Sequence, residues 1–125
     1  MSDDLDWTPV RALARRIREG EHLTLTNDVR GLLERTASEV GISQTDAAPA
    51  LAGVETAEAL LLECAKRIKE GSDRLMDALY RAKRYRLAGD FDNARQEMRD
   101  VLAVEVVPHY REIAESQLED MADEP

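Results

Sequence analysis

Two rows of residues repeat every seven positions through the middle of the chain, and they leave little choice about its fold. Leu61, Ile68, Leu75 and Ala82 form one row; Ala57, Cys64, Gly71, Ala78 and Tyr85 form the other. A strand alternates faces at every residue and would scatter these positions, whereas a helix stacks them on one side. On the flank, Glu63, Glu70 and Asp77 recur at the same interval, each four residues before Arg67, Arg74 and Arg81. That acid-then-base order favours ion pairs along a helix. Gly71-Ser72 would ordinarily read as a break. The phase of the rows is unchanged across it, so one continuous helix is expected from about Thr56 to Ala88. Small residues alternating with large ones predict a partner helix at close range.

The remaining segments read as shorter helices. Thr8 offers a capping hydroxyl, Pro9 suits a first helical position, and Val10, Leu13 and Ile17 form a stripe that Gly20 ends. Thr26 or Asn27 can cap a second helix whose buried face is Val29, Leu32, Leu33, Ala37 and Val40, closed by Gly41. Ser43 with Asp46 resembles a capping box that opens a short third helix, disturbed near Pro49 and stopped at Gly53. After Gly89-Asp90 a fifth helix begins at Phe91 or Asp92, with Ala94, Met98, Val101 and Leu102 inward. From Val101 to Val107 it is apolar nearly all round, Glu105 excepted, which predicts burial on all sides. Pro108 predicts a kink. Beyond it the stripe resumes as Tyr110, Ile113, Ala114, Gln117, Leu118 and Met121. The expected architecture is all-α: a long antiparallel helical hairpin with three shorter N-terminal helices packed against it. It forms one domain over residues 1–125, with a loose lead at 1–7 and a frayed tail at 122–125.

The net charge is −9, unevenly placed. Residues Lys66 to Arg86 carry +5, and Glu112 to Pro125 carry −6. Nucleic-acid binding depends on phosphate contacts and is disfavoured by the total; an acidic chain with one basic stripe is better suited to protein partners. One cysteine, Cys64, allows no internal disulfide and fits a reducing compartment. The acidic start Met1-Ser2-Asp3-Asp4 lacks the basic and apolar parts of a signal peptide. No apolar run approaches the roughly 20 residues that cross a bilayer. A cytoplasmic location without membrane attachment is expected.

Catalytic chemistry finds no foothold in the sequence. Nucleophile elbows, glycine-rich phosphate loops and metal-binding Cys pairs are missing, so no enzyme activity and no cofactor are expected. Glu105, His109 and Glu112 would share one helix face at i, i+4 and i+7, as metal ligands in bundles do. Such sites draw further ligands from other helices, and no second set is visible; the expectation is a polar strip without metal. Cys64 lies on the small-residue row and reads as a buried structural thiol. Arg81, Lys83, Arg84 and Arg86, interleaved with Tyr80 and Tyr85, form the candidate partner-binding cluster. Its bland alternative is a set of cations favouring the negative end of a helix dipole. Tyr85, Gly89, Phe91 and Ala94 also sit at the spacing of a tetratricopeptide turn, but a solenoid needs about three repeats and there is no second copy.

The stretches "DWTPVRALARRI", "LTLTNDVRGLLERTASEVGIS" and "RIKEGSDRLMDALYRAKRYRLAGDFDNARQEMRDVLAVEVVPHYREIAESQLE" resemble the DUSAM proteins. This is a stand-alone family of unknown function, expanded as paralogues in myxobacteria. The resemblance covers nearly all of the chain and implies no catalytic residues. It implies many coexisting sequence variants, a habit of recognition systems such as toxin–immunity sets. The functional expectation is a non-catalytic helical protein-interaction module acting as monomer or weak homodimer. The alternative is an immunity-type inhibitor that binds a basic toxin.

Overall fold

In the computed structural model, which describes residues 5–125, the long central helix is unbroken. Six helices are present and the described residues contain no strand: α1 (Thr8–Arg18), α2 (Asn27–Glu39), α3 (Gln44–Ala50), α4 (Val54–Leu87), α5 (Phe91–Val104) and α6 (Pro108–Asp120). The chain clusters into two compact units, Met1–Arg67 and Ile68–Pro125, with the boundary inside α4. Both heptad rows of α4 are inward as expected. Leu61, Ile68, Leu75 and Ala82 are buried, as are Ala57, Cys64, Gly71 and Ala78, while Tyr85 is half-buried.

In the N-terminal unit, α1 to α3 pack with the first part of α4 around Val10, Leu33, Ala37, Val40 and Leu61. Of the loose lead expected at residues 1–7, positions 1–4 lie outside the described residues. Trp7 is tied down, because its indole N–H donates to Glu39 at 2.9 Å. Helix α1 starts one residue earlier than expected. Thr8 is its first residue rather than its cap; the cap position is Trp7, which makes no side-chain cap bond, and the Asp6 carboxylate accepts the Thr8 N–H at 3.1 Å. The other two starts follow the sequence: Thr26 accepts from Val29 N–H and Ser43 from Asp46 N–H. Glu58 on α4 accepts the backbone N–H of Leu23 and anchors the link between α1 and α2.

In the C-terminal unit, α4 turns into α5 at Gly89. Its φ of +78° is left-handed, and the turn returns Asp90 N–H to Tyr85 O at 2.8 Å and Gly89 N–H to Arg86 O at 3.0 Å. This closes two orphan carbonyls in one motif that suits glycine. Asp90 then caps α5 through Asn93 N–H.

The kink expected at Pro108 is instead a full break. Helix α5 stops at Val104, Glu105 to Val107 are non-helical, and Pro108 opens α6 at its first position. Proline lacks an N–H and drives the residue before it into extended conformation; Val107 accordingly sits at φ −81°, ψ 116°. Extended residues alternate faces, so the all-round burial expected for Val101 to Val107 is also corrected. Val101, Glu105 and Val107 are buried, whereas Val104 and Val106 are 59% and 50% exposed.

Two approaches fix how α6 lies on α4. The Tyr110 hydroxyl donates to Ile68 O at 3.0 Å. Its ring covers Gly71, where an added Cβ would stand 2.5 Å from Tyr110 Cδ2 and 3.0 Å from Glu105 Oε1. Arginines then link α5 and α6 reciprocally. Arg111 of α6 donates to Leu102 O and Glu105 O at the end of α5, and Arg95 of α5 donates to Met121 O and Glu124 O at the end of α6. Residues 122–125, expected to fray, are thus held at Glu124.

Replacing Gly71 with Ala should lower stability. The gain in helix propensity is at most about 1 kcal/mol, against roughly 1–3 kcal/mol for overpacking a filled contact. In a Tyr110→Ala background only Glu105 Oε1, at 3.0 Å, still crowds the added methyl, so the same change should cost less there. Urea unfolding of the four variants measures this coupling. Equal effects of Gly71→Ala in both backgrounds would refute the close packing.

Candidate functional site

The four basic residues singled out in the sequence sit on the last turns of α4, and the structure divides them. Lys83 and Arg86 line an open groove of about 560 Å³ together with Leu79, Leu87, Phe91, Gln117 and Glu124. Arg81 and Arg84 line a separate hollow of about 430 Å³ with Tyr85 and Ala88. Arg81 is engaged within the fold, donating to Glu97 of α5 at 2.8 Å. Arg84 lies over the ring of Tyr80, 5.9 Å from its centroid, within cation–π range.

A neighbouring feature was not drawn out of the sequence. Met76, Tyr80 and Leu87 are 64%, 63% and 79% exposed. With Lys83 they follow one another at intervals of four, three and four, which places them along a single line of α4. The spacing was legible; the buried heptad rows on the opposite side of the same helix masked it.

The three ion pairs expected along α4 form only in part. Arg67 pairs with Glu63 at 2.9 Å. Arg74 turns instead to Glu105, and Arg81 to Glu97. Each finds an acid on the following segment that is better sheltered from water than one on its own helix surface.

Glu105, His109 and Glu112 do not share a helix face. The break before Pro108 leaves Glu105 outside α6, while His109 and Glu112 are exposed near its start. Glu105 is 3% exposed and fully engaged: Oε1 accepts from Arg74 at 2.7 Å, and Oε2 accepts the N–H groups of Val106 and Val107 at 3.1 and 3.0 Å. A carboxylate committed this way supports the chain break. No group of three or more His, Cys, Asp or Glu placed to hold a metal occurs among the described residues. Cys64 is a free, buried thiol. Burial pushes it up to about 12, with Arg67 opposing and Glu63 reinforcing the effect.

Residues 5–121 match a family model described as "Protein of unknown function (DUF2379)". The chain belongs to the DUF2379 family. DUSAM is the name of this domain family, so the resemblance noted in the sequence holds. No curated protein and no solved structure matches this DUF2379 chain.

Two outcomes follow from this geometry. Arg74→Ala leaves the Glu105 carboxylate buried with backbone partners only and should cost about 3 kcal/mol, measured by chemical unfolding; a loss below about 0.5 kcal/mol would class the pair with surface ion pairs. Cys64 should resist a thiol-reactive disulfide reagent until the protein unfolds. Because its folded pKa is raised, its contribution to stability is complete below the unfolded thiol value near 9 and is lost as pH rises from there towards about 12. Cys64→Ala should remove that slope; an unchanged slope would assign it to other groups.

Proposed function

We propose that this DUF2379 chain is a non-catalytic helical interaction module that engages a protein partner through the exposed line of α4. The observation that carries this reading is the row of Met76, Tyr80 and Leu87, open to solvent where every other large apolar residue described, save Val54, Val104 and Val106, is buried or half-buried. Contiguous exposed apolar surface marks interaction sites. Methionine and tyrosine suit such surfaces, one by adaptability and the other by its amphipathic ring. A protein partner fits better than nucleic acid, given the net charge of −9. No helix of the described residues is long and apolar enough to cross a membrane; with the single unpaired thiol, this supports the reading of a cytoplasmic protein.

The inhibitor alternative draws on a different surface. Glu112, Glu115, Glu119 and Asp120 are all exposed on α6 and could meet a basic toxin.

Affinity capture from native lysate separates these readings. The full chain should retain a partner that Met76→Ser/Tyr80→Ser/Leu87→Ser releases and that Glu112→Gln/Glu115→Gln/Glu119→Gln leaves bound. The opposite pattern would favour the inhibitor. A partner indifferent to both variants would overturn the use of either surface.

A further inference from the structure

We propose that the end of α4 receives an acidic amphipathic helix of the partner, with an apolar side chain over Leu79, Leu87 and Phe91 and carboxylates at Lys83 and Arg86. The proposal rests on the interaction-module reading and adds the chemistry of what is bound. Shape speaks for a helix. The spacing of Met76, Tyr80, Lys83 and Leu87 is that of a coiled-coil seam, and at 1.5 Å per residue it runs about 16 Å, or three turns. A helix laid along such a seam buries its own i, i+3, i+4 and i+7 residues.

Charge speaks for acids. With Arg81 held by Glu97, Lys83, Arg84 and Arg86 remain as a cationic margin at the end of α4. Lys83 and Arg84 are exposed and Arg86 is half-buried at the groove. Cations at a helix C-terminus also favour the dipole, but the dipole gives no reason for exposed Met76, Tyr80 and Leu87 beside them. Glu124 also lines the groove and opposes an acidic ligand. It sets the orientation instead, since the partner's carboxylates must lie on the Lys83–Arg86 side.

The test uses a fluorescent peptide of about 14 residues with leucines at helical i, i+3, i+4 and i+7 positions and glutamates flanking them. Binding to the full chain is read by anisotropy. The glutamate peptide should bind at least about tenfold more tightly than its lysine counterpart, and affinity should fall as salt rises. Lys83→Glu/Arg86→Glu should reverse the preference between the two peptides while the thermal melt stays near wild type. Equal binding of both peptides, or no binding, overturns the proposal. So does competition by dodecanoate at equal concentration, which would assign the groove to a small amphiphile, or sedimentation of the chain alone as a dimer that the same charge reversal dissociates. If affinity capture still retains a partner that the charge reversal does not release, the acidic-helix proposal fails while the interaction module stands.

Discussion

Tyr110 can lie flat on α4 only because residue 71 carries no side chain. The ring occupies the space of an absent Cβ and its hydroxyl closes on Ile68 O, one turn earlier. Once α6 is that close, Glu105 is drawn into the same contact. There it meets Arg74 through one oxygen and the amides of the chain break through the other. Burying a carboxylate is expensive unless every lone pair has work. Here the break before Pro108 supplies the amides and α4 supplies the guanidinium. Glycine, tyrosine, glutamate and arginine thus form one device, in which a helix is allowed to end in the interior without leaving its polar groups bare.

The same problem recurs at other helix ends, and arginine is the repeated answer. Arg67 reaches Val40 O after α2, Arg30 reaches Leu51 O after α3, Arg111 reaches Glu105 O after α5, and Arg95 reaches Met121 O after α6. Each carbonyl belongs to a C-cap residue, where intrahelical donors have run out and the helix dipole is negative. A guanidinium presents several donors on a long stem and keeps its charge. It can therefore serve a helix end from a neighbouring element and join the two elements in doing so.

These interactions explain what the sequence disclosed and what it hid. The period of seven survived Gly71 because helix geometry is local and the glycine's reason lies elsewhere, in Tyr110. The caps at Thr26 and Ser43 were legible for the same reason: donor and acceptor stand three residues apart. Thr8 misled because a hydroxyl before Pro9 suits a cap by residue type, whereas the cap position falls on Trp7, which makes no side-chain cap bond. Val101 to Val107 misled because an apolar run has the same composition whether helical or extended. Only the alternation of Glu105 inward and Val106 outward tells them apart, and a buried glutamate looks like an error until its partners are known. Arg74 and Arg81 misled similarly, since a helix-surface acid four residues away is always visible in sequence and a better one on α5 or beyond is not.

The use of arginine inside the fold bears on the surface that remains. Guanidinium groups bound to carbonyls and to Glu63, Glu97 or Glu105 are oriented inward or along the helix junctions, so their charge is in large part answered locally. The acids of α6, by contrast, include an exposed run from Glu112 to Asp120. The chain as a whole carries a formal charge of −9. The end of α4 sets a cationic edge beside an apolar line. Electrostatic complementarity acts chiefly on encounter and orientation, while apolar contact supplies the holding energy. The two are adjacent here, along the same helix that Tyr110 packs against at Gly71. Packing that fixes α4 against α6 also fixes the spacing of Met76, Tyr80, Lys83 and Leu87, so the interior of this unit and the geometry of its recognition surface depend on one helix.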